Sequence, residues 1–283
     1  MYASMKAVIT DAFQRQYAVL AINCFNLESA RAAISAASAQ RAPIVLNIYQ
    51  GHCEHFPPAV ALPLVRALAE QASVPVTLSL DHGRDFTLIG QCFRAGFTGL
   101  MIDASAFPLE ENIRQTQQVV QMAHTAGVCV EGELGHIADA PVYDLQDASV
   151  KMTQVADVMP FIAQTDIDLL AVSVGTAHGI YPPGVTPAID FTRLEALHRA
   201  SPLPLALHGG SGTKAEDIRR VSQHGVAKIN VGAAVFEAGK SALQQALKQH
   251  PKAELPDLMA VMESACREVV TEYLNWSGAV GKA

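Results

Sequence analysis

Charged side chains are scarce in this chain. Asp, Glu, Lys and Arg make up 17% of its 283 residues, against about a quarter in an ordinary soluble domain. Aromatic residues are also few, at 6% with a single Trp. There is no basic excess: 20 Lys and Arg stand against 27 Asp and Glu, a formal net charge of −7. That balance argues against a nucleic-acid partner and requires any attraction of an anionic substrate to be local. No apolar run approaches the length of a membrane span. The opening Met1-Tyr2-Ala3-Ser4-Met5-Lys6 lacks the uninterrupted apolar core of a signal peptide. Cys24, Cys53, Cys92, Cys129 and Cys266 are odd in number, scattered and free of Cys-x-x-Cys spacing. They point to reduced thiols in a cytoplasmic protein rather than to disulfides or a Cys-based metal site.

What the chain has in quantity is apolar residues, 50% of the total, arranged in an alternating pattern. Strand-like runs occur at Tyr17–Asn23, Ala42–Ile48, Pro75–Leu80, Gly99–Ile102, Val128–Glu133, Leu169–Val174, Pro204–Leu207 and Lys228–Val231. Their near-continuous apolarity suits strands covered on both faces. Helical patterns lie between them. Asn26-Leu27-Glu28-Ser29 opens one with a capping residue and an early acid, and Pro108-Leu109-Glu110-Glu111 opens another with acids that suit the helix dipole. Eight strand-then-helix units predict a (β/α)8 barrel, an α/β fold of one domain over 1–283, because an open doubly wound sheet needs no eighth strand. Residues Glu254–Asn275 read as an extra C-terminal helix, packed under the barrel or against a neighbour. The irregular stretch Ile137–Met152 follows the fifth strand and belongs at the catalytic face, and Tyr181–Pro187 is a second irregular loop after the sixth strand.

Three histidines close three different strand runs: Leu80-Asp81-His82, Gly175-Thr176-Ala177-His178 and Leu207-His208. Barrel strands bring their C-terminal ends together. Three imidazoles with an open fourth position make a catalytic zinc site rather than a closed structural one. Asp81 has two readings, reaching substrate or orienting an imidazole from behind. Glu131 and Glu133 alternate on the fifth strand and both face the barrel interior, where an unpaired carboxylate is costly; a role near a cation follows. Asp103 ends the fourth strand, either for the same task or as a loop cap. The remaining histidines fall in helical or loop contexts and read as structural, except His136, which fits either reading. Gly209-Gly210-Ser211-Gly212 and Asn230-Val231-Gly232-Ala233 leave the seventh and eighth strands. Small residues there suit the barrel phosphate site, where backbone N–H groups meet phosphate oxygens.

These residues resemble the class II, zinc-dependent ketose-bisphosphate aldolases of the fructose- and tagatose-bisphosphate type. The resemblance rests on Leu80-Asp81-His82-Gly83, Met101-Ile102-Asp103-Ala104-Ser105, Val130-Glu131-Gly132-Glu133-Leu134-Gly135, Gly175-Thr176-Ala177-His178-Gly179, His208-Gly209-Gly210-Ser211-Gly212 and Lys228-Ile229-Asn230-Val231, and it spans nearly the whole chain. It implies reversible retro-aldol cleavage of a phosphorylated ketose to dihydroxyacetone phosphate and an aldehyde. By the same resemblance His82, His178 and His208 hold a zinc ion, with Glu133 and Asp103 at an alternate or second metal position. Asp81 handles the C4 hydroxyl proton. Gly179, Gly209, Ser211 and the backbone at Gly232 and Ala233 bind the phosphate, and Asn230 contacts the same half of the substrate. A monovalent cation, Na+ or K+, sits near the carbonyls of Ala177, Gly179 and Gly209, and the subunits form a homodimer or homotetramer.

The chain departs from the family pattern in four places. The loop after the fifth strand reads His136-Ile137-Ala138-Asp139-Ala140-Pro141-Val142-Tyr143-Asp144, and Asp139 is the first choice for its proton-exchanging acid, Asp144 the second. Ala233 stands where a Thr is usual. Tyr49 replaces a small Ser or Thr near the substrate. The C-terminus lacks an Arg for a distal phosphate, while Arg84 is placed to face a different anionic group. The acceptor aldehyde therefore need not carry a phosphate and has a sugar acid or deoxysugar as its alternatives. Two other readings compete: a Schiff-base aldolase using Lys228, which opens a strand and so faces the wrong end of the barrel, and a non-catalytic zinc-binding barrel subunit.

Overall fold

The computed structural model describes residues 1–137, 152–182, 185 and 187–283. Eight parallel strands close into a barrel in chain order: β1 (Val19–Asn23), β2 (Ile44–Tyr49), β3 (Val76–Gly83), β4 (Gly99–Ile102), β5 (Cys129–Leu134), β6 (Leu169–Val172), β7 (Leu205–Leu207) and β8 (Val226–Val231). Each falls on one of the eight runs expected from the sequence, with ends differing by a few residues. The helices between them are α2 (Leu27–Gln40), α3 (Pro58–Gln71), α4 (Phe86–Ala95), α5 (Leu109–His124), α6 (Val155–Thr165), α7 (Phe191–Ala200), α8 (Ala215–Val221) and α9 (Ala233–Gln249). Local chemistry sets their starts. The Asn26 side chain accepts from the Ser29 N–H at 3.0 Å and Ser29 answers through the Asn26 N–H, a reciprocal cap that begins α2. The Asp85 carboxylate accepts from the Thr87 N–H at 2.8 Å and begins α4.

Two helices lie outside the repeat. The C-terminal helix α10 (Leu255–Ser277) confirms the expected extra element. It packs on the flank of the barrel against α2 and α9, rather than beneath it. Helix α1 (Met5–Gln14) was not expected, since its pattern is short and precedes the first strand. It covers the N-terminal end of the barrel. Met5 is fully buried against the bare Cα of Gly99, the first residue of β4, where any Cβ would collide with the Met5 sulfur. Tyr2 bridges to Val76 at the start of β3, and Lys6 pairs at 2.7 Å with Asp168, which precedes β6.

With one end covered by α1, the chemistry-bearing residues gather at the other. If α1 seals the barrel through Met5, Met5→Ala lowers unfolding free energy by about 2–4 kcal/mol, read by urea denaturation. An unchanged midpoint would mean that α1 is dispensable.

Candidate metal centre

Strand β3 solves a geometric difficulty. Adjacent residues of a regular strand point to opposite faces, yet Asp81 and His82 both reach the barrel mouth. The register of β3 against β4 slips between Leu80 and Gly83, and His82 has φ of +50°. This left-handed backbone at a side chain with a Cβ costs on the order of 1–3 kcal/mol, and it turns two consecutive side chains into one site.

The imidazoles of His82, His178 and His208 meet there, with ring centroids 4.5, 4.8 and 5.6 Å apart. Their candidate ligand nitrogens lie within 4.8 Å of one another. Two of them aim directly at each other: His208 Nδ1 is 3.0 Å from His82 Nε2. Each of these rings is held from behind by a carboxylate. His82 Nδ1 donates to Asp103 Oδ2 at 3.0 Å, and His208 Nε2 donates to Glu131 Oε1 at 2.7 Å. Each carboxylate is in turn held by a cation. Arg84 Nη2 and Nε donate to Asp103 Oδ2 at 2.6 and 2.9 Å, and Lys228 Nζ donates to Glu131 Oε2 at 2.6 Å. Ser105 completes Asp103 through a 2.7 Å bond to Oδ1.

Four buried polar atoms of residues at the site have no hydrogen-bond partner among the described residues: His178 Nε2, Glu133 Oε2, Asn230 Oδ1 and His52 Nδ1. Such atoms are costly unless something satisfies them. Three converging imidazole nitrogens, on rings of which two have their other nitrogen tied to a carboxylate, fit a divalent transition metal. Glu133 also joins His82 and Asp103 in a second group of converging ligand atoms. Burial and the neighbouring Asp103 charge push the Glu133 carboxyl up to about 8.

Asp81 stands beside this cluster. Asn23 Nδ2 donates to its Oδ2 at 2.7 Å and Asn230 Nδ2 to its Oδ1 at 3.0 Å. Burial alone would raise its pKa, but the His82, His208 and Lys228 charges and the Asn23 amide outweigh it and hold Asp81 down to about 2. It is an ionised carboxylate at neutral pH. Asp81, its partners Asn23 and Asn230, and His82, His178, Arg84 and Asp103 border a cavity of about 650 Å³. On its β7–β8 side lie Gly179, Gly209, Ser211, Gly232 and Ala233, at the start of α9. Gly232 and Ala234 N–H groups point at Ser211 Oγ, at 3.3 and 3.1 Å, so the first turn of α9 aims its donors where an anion would be received. On the β2–β4 side lie Tyr49, His52, Arg84 and Phe107.

The structure thus brings together His82, His178, His208, Asp81, Asp103, Glu133, Asn230 and the small residues of the two Gly-containing loops. Asp139 and Asp144 lie outside the described residues. The Lys228 expectation needs correction. Its side chain does not face the far end of the barrel; it points inward, 1% exposed, beneath His208 and bound to Glu131. Three contributors escaped the sequence reading. Asn23 gave one signal, a polar residue closing an apolar strand. His52, read as structural, lines the cavity, and Phe236 joins it from the first turn of α9 with a ring-to-ring distance of 5.6 Å.

The chain matches the family model described as fructose-bisphosphate aldolase class-II over residues 3–282. Among solved structures it is similar to the YdjI aldolase from Escherichia coli K12, at 30% identity and TM-score 0.87 over 100% of both chains. It also superposes on the fructose-bisphosphate aldolase from Campylobacter jejuni with TM-score 0.85, covering 100% of this chain and 97% of that one. At 19% identity the second likeness bears on the fold alone.

Gly209 holds His208 in place through a backbone no other residue adopts easily. Its φ is +66°, and a Cβ would lie 2.4 Å from the Ala177 carbonyl oxygen. Gly209→Ala is expected to cost about 1–3 kcal/mol in chemical denaturation. Wild-type stability in that variant would contradict the tight approach of the β6 and β7 loops.

Proposed function

We propose, from the premise that this chain belongs to the class II fructose-bisphosphate aldolase family, that it cleaves and forms a carbon–carbon bond in a ketose 1-phosphate at a single zinc ion. The observation that carries this reading is an ionised Asp81, held by two amides, beside three imidazoles whose candidate ligand nitrogens converge. His82 Nε2, His208 Nδ1 and His178 would hold the zinc, and the bound ion supplies Lewis acidity toward the substrate's oxygens and stabilises the negative charge that cleavage leaves. Glu133 and Asp103 mark an alternate metal position. A Na+ or K+ ion near the carbonyls of Ala177, Gly179 and Gly209 belongs to the same reading.

Asp81 takes the C4 hydroxyl proton as the bond breaks and returns it to the aldehyde in the reverse direction. Its pairing with Asn23 and Asn230 keeps it charged and fixed for that transfer. Asn230 positions the dihydroxyacetone phosphate half, whose phosphate is received by Gly179, Gly209, Ser211 and the N–H groups at Gly232 and Ala233. Ala233 contributes no hydroxyl, so the backbone of α9 carries more of that task. Asp139 remains the proposed acid for proton exchange at C3.

The acceptor end favours an aldehyde without a phosphate. Tyr49, His52 and Phe107 make that side of the cavity bulky and largely apolar, and Arg84 is the one Lys or Arg among its described lining residues. Arg84 is already committed to Asp103. A single guanidinium shared in this way suits a carboxylate or hydroxyl-bearing acceptor better than a dianion. The reading takes the protein to be a cytoplasmic homodimer or homotetramer; no described helix is long and apolar enough to cross a membrane, and the five cysteines are free and buried.

The test is release of dihydroxyacetone phosphate from a panel of ketose 1-phosphates and 1,6-bisphosphates, with and without chelator. Release abolished by chelator and strongest with a monophosphate is expected; bisphosphates turning over far better would refute the acceptor assignment. Asp81→Asn should lower kcat by about 10²–10⁴-fold with zinc content unchanged. Near-wild-type turnover would remove Asp81 from the proton transfer.

A further inference from the structure

A buried ion pair with no contact to the cavity needs an explanation. Lys228 and Glu131 are 1% and 0% exposed and lie inside the barrel, bonded at 2.6 Å. Neither lines the substrate cavity. Isolating two charges from water carries a desolvation cost that such a pair at best roughly cancels, and apolar replacements of similar volume are often as stable. Stability is therefore a weak reason for its presence.

Geometry supplies a stronger one. Lys228 belongs to β8, Glu131 to β5, which is not its neighbour in the barrel, and His208 follows β7. The Glu131 carboxylate spans the interior and bonds both, Oε2 to Lys228 Nζ and Oε1 to His208 Nε2 at 2.7 Å. A lysine ammonium has only protons to offer. It therefore fixes Oε2 and leaves Oε1 as an acceptor toward His208. That in turn requires the His208 proton to sit on Nε2. The lone pair of Nδ1 then faces His82 Nε2 at 3.0 Å and the Asn230 amide nitrogen at 3.2 Å, on the side where the three imidazoles converge.

We propose that the Lys228–Glu131 pair is a positioning clamp that dictates which nitrogen of His208 faces the metal. The clamp rests on the zinc reading above and acts through His208 alone. The same bonding removes Lys228 as an amine nucleophile, since its Nζ is buried and engaged away from the cavity.

The clamp makes an unusual prediction about amide substitutions. In Glu131→Gln, Lys228 can be satisfied only by the amide oxygen, so the amide NH2 turns to His208 Nε2 and drives the proton onto Nδ1. Zinc affinity, measured by chelator competition, should fall about 10–100-fold. In the double variant Glu131→Gln with Lys228→Met, nothing constrains the amide, its oxygen can accept from His208 Nε2, and most of the affinity should return. Cobalt-loaded samples should show the same loss and recovery in their visible absorption. Wild-type affinity in Glu131→Gln, or a double variant as weak as the single one, would overturn the clamp. A measurement on the wild-type protein guards against variants that fail to fold: long-range ¹⁵N–¹H spectra of the zinc-loaded protein should show His208 protonated at Nε2, and protonation at Nδ1 would overturn the proposal. If the wild-type protein binds no zinc at all, the metal reading itself falls; zinc binding that is indifferent to Glu131→Gln sinks the clamp alone.

Discussion

Two ring nitrogens that face each other at 3.0 Å, His82 Nε2 and His208 Nδ1, set the terms for the rest of this site. Two N–H groups cannot be pointed at one another at that distance, and two lone pairs repel unless an ion or a proton lies between them. A metal ion can take that place only if the ring protons are drawn to the far side of each ring. Asp103 does this for His82 and Glu131 for His208, and each carboxylate is anchored by its own cation, Arg84 or Lys228. The two chains of cation, carboxylate and imidazole are matched in chemistry but not in setting. One opens toward the cavity through Arg84; the other is sealed inside the barrel.

The (β/α)8 fold is what makes such an arrangement achievable. The three histidines come from the ends of β3, β6 and β7, and the residues that hold His82 and His208 from β4, β5 and β8, so the cluster exists only when the barrel is closed. Helix α1 covers the opposite end, which leaves one mouth for chemistry. The conformational expense is concentrated locally, at the left-handed backbone of His82 and the close approach of Gly209 to Ala177. Strain of this kind persists where the surrounding structure over-determines it. Here the register slip in β3 places Asp81 and His82 side by side, joining the proposed base to a proposed ligand.

Much of this was legible in the amino-acid sequence. Eight apolar runs separated by helical patterns determine a barrel, and histidines at three strand ends mark its working face. The period-2 spacing of Glu131 and Glu133 placed both in the interior. What periodicity does not carry is the partner of each buried group. Lys228 sits early in its strand, which suggests the far end of the barrel, but its long side chain lies inside the barrel and is fixed by Glu131. Asn23 went unnoticed because a single Asn ending a strand has no motif, and its role arises only when β1 and β3 converge on Asp81. Helix α1 is too short and too isolated from the strand repeat to announce its function as a cover. The acid of the loop after β5 was assigned by resemblance alone, and Asp139 lies outside the described residues.

The central claim is that the carboxylate-backed imidazoles form the metal site in advance of the metal. The most direct measurement is a pair of crystal structures, of chelator-stripped and of zinc-loaded protein, with anomalous scattering at the zinc edge. The account predicts one zinc between His82 Nε2, His208 Nδ1 and His178, with the His82 and His208 rings in the same rotamers and the same carboxylate bonds in both structures. Rings that swing away from Asp103 and Glu131 when the metal is removed, or a zinc held by Asp103 and Glu133 instead, would contradict it.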